Sequence, residues 1–136
     1  MNNSLAEFCT YVTIKLENVS SSTSEIKGCN PRWDQDFRFE TNRMDTELII
    51  ELWNKGILSD KVIGVIYLPL SNIPISDKPT EGHWLQFEAD STLNNVYSTT
   101  LAAATSDFYI LLEAHLEPVY GKLSHSDIRN FILSLL

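Results

Sequence analysis

From Val12 to Glu17 apolar and polar residues alternate strictly, with Val12, Ile14 and Leu16 on one side of an extended chain and Thr13, Lys15 and Glu17 on the other. A period of two marks a half-buried strand, because successive side chains point to opposite faces. Further strand segments are Thr23 to Lys27, Gln35 to Glu40, Glu47 to Trp53, Val62 to Leu68, Trp84 to Glu88 and Phe108 to Glu117, separated by clusters of Gly, Pro, Asn and Ser. About seven short strands at this spacing predict an all-β, antiparallel two-sheet sandwich. Ala89 to Ser106 is polar, Thr-rich and without strong period, which predicts a long or mobile connection.

The pattern changes at Ser124. Ser124 is a capping residue with Asp127 three positions on, and Ile128, Phe131, Ile132 and Leu135 recur at helical spacing. The organisation predicted is a sandwich domain over residues 8–118 and a divergent tail, 119–136, carrying a short amphipathic helix. Its apolar stripe packs back on the sandwich or is presented to a partner groove.

Composition narrows the function classes. The apolar fraction of 43% suffices for one buried core, and the net charge of -8 argues against nucleic acid or anionic lipid as the main partner. The nearest basic pairs, Lys15 with Lys27 and Arg38 with Arg43, are interleaved with Glu17, Glu25 and Glu40 and read as a solvated face. Met1 to Phe8 lacks the basic start and apolar run of a secretory signal, and no window reaches the roughly 20 apolar residues of a membrane span. Cys9 and Cys29 have neither zinc spacing nor the density of a disulfide scaffold, so a reduced, cytoplasmic setting is expected, and the sequons at Asn2 and Asn18 are accidental.

No constellation for catalysis emerges. His83, His115 and His125 have no metal-ligand spacing, and the apolar Leu112, Ala114 and Leu116 beside His115 place it at the surface or rim. Ser20 to Ser22 and Ser24 lack a nucleophile elbow, Asp34 with Asp36 is not singled out as an acid/base couple, and five scattered glycines form no phosphate cradle. The expectation is a non-enzyme without a cofactor.

Three segments in order carry a specific pattern: Thr10 to Leu16, then Asn30-Pro31-Arg32-Trp33-Asp34-Gln35-Asp36-Phe37-Arg38-Phe39, then Leu48 to Gly64. Together they resemble a C2 domain, a β-sandwich whose loops at one end often bind calcium and phospholipid. Phe8 to Thr13, Trp33 to Glu40, Asn42-Arg43 with Asp45, Trp53 to Gly56 and Leu112 to His115 further resemble the N-terminal C2 domain of the Unc-thirteen family of presynaptic vesicle-priming proteins. That resemblance implies a calcium-independent docking module, cytoplasmic and peripheral at the presynaptic active zone. It would pair with itself or with the zinc finger of the Rab-interacting active-zone scaffold protein RIM. Members carry a strand before the one containing Val12, for which Met1 to Ala6 is too short and polar, so the first strand is missing or replaced and an exposed edge is expected beside Val12.

The resemblance also locates a degenerate metal loop. Calcium needs roughly six to eight oxygen ligands. Here Cys9 with Thr10, then Asn54 and Gly56, stand where carboxylates are expected, and Asp60 alone remains. Retention of Gly56 is explained by a turn needing positive φ or by a loop shape reused for protein contact. The partner-binding surface is placed on Thr13, Lys15, Glu17, Val19, Ser20 and Lys27, beside the missing strand. The alternative is calcium-independent phospholipid binding in membrane targeting.

Overall fold

Strand β1 (Cys9–Leu16) turns through Glu17 and Asn18 into β2 (Val19–Ser22), with Glu17 in the left-handed region at φ 54°. The computed structural model describes residues 9–89, 105–118 and 129–135. After β2 come β3 (Ile26–Lys27), β4 (Gln35–Thr41), β5 (Glu47–Asn54), β6 (Lys61–Pro69), β7 (His83–Glu88), β8 (Thr105–Leu116) and β9 (Arg129–Leu135), with a 3-10 turn at Leu70–Asn72. Strands β2-β1-β5-β6 form one antiparallel layer, with β3 also beside β1, and β7-β8-β9-β4 form the other. One residue pair, Val65 with Glu88, joins the layers along the backbone. This is the antiparallel sandwich that the alternation predicts.

The core lies between the layers. In β1 Val12 and Ile14 are fully buried and Leu16 nearly so; Leu48, Ile50 and Leu52 repeat the pattern in β5. From the other layer come Phe87, Ile110, Leu112 and Leu116. Each such side chain contributes roughly 1.5–3 kcal/mol on burial. Period two is therefore enforced, because a one-residue slip would turn each set to water.

The tail differs from its expected form. Arg129–Leu135 is strand β9, not a helix, and it lies between β4 and β8, with Gln35 opposite Leu135, Thr41 opposite Arg129 and Leu112 opposite Leu135. Leu133 and Leu135 are buried in the core while Ile132 and Ser134 are half-buried on the other side. A helix in that place would leave the facing edges of β4 and β8 without backbone partners, which is why the strand wins. Ser124, Asp127 and Ile128, on which the helical reading also rested, lie outside the described residues, as does 90–104 of the polar connection.

The bare edge expected beside β1 is also absent among the described residues. β1 is an interior strand, with β5 on one side and β2 and β3 on the other. Thr23, expected to open a strand, instead interrupts the ladder: its hydroxyl accepts the Val12 N–H at 2.9 Å and donates to the Ser24 carbonyl. Its own N–H donates to the Val12 carbonyl.

His115 is buried rather than at the rim, with 3% of its surface exposed. Its Nδ1 lies 2.8 Å from Glu113 Oε2, which also accepts the Thr80 N–H and hydroxyl at 3.0 Å. The segment from Pro74 to Thr80 supplies that cover: Ile75 bridges to Leu116, and Ser76 N–H donates to the Leu116 carbonyl.

Candidate functional site

One end of the sandwich gathers the start of β1, the end of β5 and the loop from Lys55 to Asp60. Register sets Thr10 opposite Asn54, Cys9 opposite Lys27, and the Lys55 N–H against the Cys9 carbonyl at 2.8 Å. The four residues read as a degenerate metal loop, Cys9, Asn54, Gly56 and Asp60, are thus brought to one end. Asp60 is already occupied: Oδ2 accepts the Tyr11 hydroxyl at 2.6 Å and Oδ1 accepts the Gly56 N–H at 3.1 Å. Lys55 Nζ pairs with Glu25 at 2.7 Å, where both side chains are exposed. One engaged carboxylate beside an amide and an ammonium offers nothing like the oxygen shell calcium requires.

Gly56 is not at positive φ; Gly28, at φ 110°, is the glycine that is, among the described residues. The reason for glycine at 56 is space. A Cβ there would run into the Ser59 carbonyl, so the loop closes tightly only without a side chain.

At the apex of this loop Ile57 and Leu58 are 102% and 98% exposed, making no contact that shields them. The sequence carries a signal for them, two adjacent aliphatics between Lys55-Gly56 and Ser59-Asp60.

Hydrogen bonding shifts the titration of the loop. The Tyr11 hydroxyl, then the Gly56 N–H and last the Lys55 charge hold Asp60 below the usual carboxylate range, against an opposing effect of burial. The Tyr11 phenol is pushed up to about 12, first by burial and then by its bond to Asp60 and that carboxylate's charge. A folded pKa above the unfolded value of roughly 10 means that this contribution to stability is complete below pH 10 and is lost as pH rises toward 12. Absorbance titration is expected to show one tyrosine ionising near 12 in the folded chain, and Tyr11→Phe should remove that step. A native titration in which no tyrosine is delayed would contradict the bond to Asp60.

The six residues expected to dock a partner do not form one surface. On the outer face of β1, Tyr11 stacks on Trp53 at 6.0 Å with planes 2° apart, and the Trp53 indole N–H donates to Thr13 Oγ1. The Thr13 hydroxyl donates to Glu51 at 2.8 Å, and Lys15 pairs with the same carboxylate at 3.0 Å. Thr13 is 9% exposed and Lys15 is engaged within its own sheet. Glu17, Val19 and Ser20 are exposed at the β1–β2 turn, whereas Lys27 is opposite Cys9 at the other end of β1, some 20 Å away along an eight-residue strand.

Residues 2–87 match the family model of the C2 domain, well over half of the chain, and the chain belongs to that family. As a C2 domain it is a non-catalytic interaction module. Among curated proteins it is 30% identical over 84 residues to Multiple C2 domain and transmembrane region protein 6 of Arabidopsis thaliana, covering 57% of this chain and 8% of the relative. It is 31% identical over 83 residues to Multiple C2 domain and transmembrane region protein 5 of the same plant, and 30% identical over 83 residues to FT-interacting protein 7 of Oryza sativa subsp. japonica. Each of these matches covers 57% of the chain and 11% of the relative. The chain thus spans about a tenth of the relatives it matches.

These relatives overturn the narrower expectation. The similarity runs to plant multiple-C2 and FT-interacting proteins and not specifically to the Unc-thirteen family. With that go vesicle priming, self-pairing or pairing with the RIM zinc finger, and placement at the presynaptic active zone. The motifs behind the earlier resemblance serve the scaffold: Trp33 and Phe37 pack on the core, and Trp53 to Gly56 end a strand and begin a tight loop. They mark the fold rather than a partner.

Proposed function

We propose that this chain is a calcium-independent C2 module that contacts a phospholipid surface through the Ile57-Leu58 tip, in a membrane-targeting role. The observation that carries the reading is full exposure of two adjacent aliphatic side chains at a loop apex. Lone exposed apolar residues are ordinary, but an isoleucine and a leucine side by side at an apex cost solubility without serving the core. The printed names of the relatives join several C2 domains to a transmembrane region, which fits a module working beside a bilayer.

Magnitudes define the kind of contact. Burying two such side chains yields about 3–6 kcal/mol, near what a single myristoyl chain supplies, so one module binds reversibly. Several modules on one chain would multiply that weak contact through effective concentration. The net charge of -8 gives no attraction to anionic headgroups, so apolar insertion must dominate.

Sedimentation with phosphatidylcholine vesicles is therefore expected to be the same in calcium and in chelator and to change little with salt. Ile57→Asp with Leu58→Asp should weaken it by at least about a hundredfold while leaving the melting temperature unchanged. Undiminished binding by the double variant, or binding that requires calcium, would sink the reading.

A further inference from the structure

The outer face of β8 divides into two halves. Glu113 and His115 lie on the half covered by the segment from Pro74 to Thr80, which bonds to the Glu113 carboxylate and to the Leu116 backbone. Tyr109 and Leu111 continue the same face beyond that cover, and β7 sets Trp84 opposite Leu111 and Gln86 opposite Tyr109. Trp84 is 68% exposed and Tyr109 57%, while Leu111 is half-buried. A single exposed aromatic residue is ordinary, but a tryptophan and a tyrosine as diagonal neighbours on two strands make a patch.

The chain around this patch is acidic. No Lys or Arg occurs between Lys78 and Lys122, so β7 and β8 carry none. Glu81, Glu88 and Asp107 belong to that stretch and make no ion pair among the described residues. Arg32, across a hollow that Trp84, Tyr109 and Asp107 also line, is a single cation against these three acids. Such a surface repels phosphate, whether of nucleic acid or of a lipid headgroup, and attracts cations. Aromatic faces add to that attraction through their quadrupole, and a flat guanidinium stacks on them where a compact ammonium does not. Diagonal neighbours stand roughly 7–8 Å apart, about two van der Waals contacts of 3.5–4 Å, which admits one guanidinium in touch with both side chains.

We propose that the Trp84–Tyr109 patch docks an arginine-bearing segment of a partner protein. The guanidinium stacks on the two aromatic side chains, and its methylene stem covers Leu111. Asp107, exposed and two residues from Tyr109 along β8, supplies the opposing charge. Tryptophan and tyrosine are the residues that most often anchor such contacts. The site is separate from the Ile57-Leu58 tip, so each can fail without the other.

The test uses the full chain. Caesium is expected to quench Trp84 fluorescence, read as the difference between the native chain and Trp84→Phe, more than iodide does. Equal or stronger quenching by iodide, or quenching by neither, would overturn the proposal. In the nitrogen-15-labelled chain a capped peptide alternating arginine with serine should shift the Trp84 indole and Tyr109 amide signals saturably, and less tightly as salt rises. The same peptide with citrulline in place of arginine should not. Trp84→Ala should weaken the arginine peptide about tenfold and Asp107→Asn about threefold, with the melting temperature unchanged, whereas Ile57→Asp with Leu58→Asp should leave its binding as it was. Equal binding of the citrulline peptide, or undiminished binding by Trp84→Ala, would sink the assignment. So would phosphatidylcholine vesicles displacing the peptide, which would give the patch to a bilayer, or shifts that follow protein concentration alone, which would give it to a second copy.

Discussion

A chain that stops at Pro118 is expected to show no cooperative thermal transition and no dispersed amide spectrum. It would lack β9, and with it Leu133 at 0% and Leu135 at 1% exposure. Each buried leucine reduced to alanine costs about 2–5 kcal/mol, so losing two approaches the whole 5–15 kcal/mol by which domains of this size are stable. The facing edges of β4 and β8 would also lose their backbone partners, exposing donors and acceptors that invite aggregation. The milder Leu133→Ala should still melt cooperatively, about 3 kcal/mol less stable. A folded, monomeric 1–118 chain would show that the sandwich closes without β9.

Gly64→Ala is the second large effect. A Cβ at this position would lie 2.7 Å from Phe87 Cβ and 3.0 Å from its Cγ. Those atoms sit next to the backbone, so rotating the ring gives no relief and β7 itself has to shift. Phe87 is 1% exposed and one residue from the Val65–Glu88 pair that joins the layers, leaving little room for that shift. Alanine gains up to about 1 kcal/mol over glycine in a strand, while overpacking costs 1–3 kcal/mol or more, so the net loss is expected near 2 kcal/mol. Thermal unfolding would register it as a fall of roughly 6–10 °C. Adding Phe87→Ala, which removes the Cγ contact though not the Cβ one, should then cost less in the Gly64→Ala background than alone, and equal costs would deny the clash.

Most strands were legible because burial here is one-sided. Glu47 to Trp53 is read from alternation and observed as Glu47–Asn54, and Gln35 to Glu40 as Gln35–Thr41. β2 was not, since Val19-Ser20-Ser21-Ser22 has no apolar face; it is held by backbone pairing to β1, which composition does not reveal. β9 was misread because Phe131-Ile132-Leu133 satisfies either period, and only the slot between β4 and β8 chooses one. Burial of His115 depends on Pro74 to Thr80 crossing from elsewhere in the chain. At the loop end, the grouping of Cys9, Asn54, Gly56 and Asp60 was legible from the C2 resemblance, whereas the reason for Gly56 and the weight of Ile57 and Leu58 needed coordinates.

The pairing of Gln35 with Leu135 sets how the molecule comes into being. The two strands are a hundred positions apart in the chain, so closing that loop is among the last events that folding can complete, and topologies of this kind fold slowly. During synthesis β4 emerges long before its partner β9, at roughly 5–20 residues per second, and spends that interval without a strand partner among the described residues. The nascent chain is thus most vulnerable to misassociation in the seconds before Arg129–Leu135 leaves the ribosome, and a chaperone that shields β4 over that window would act at the step where yield is decided.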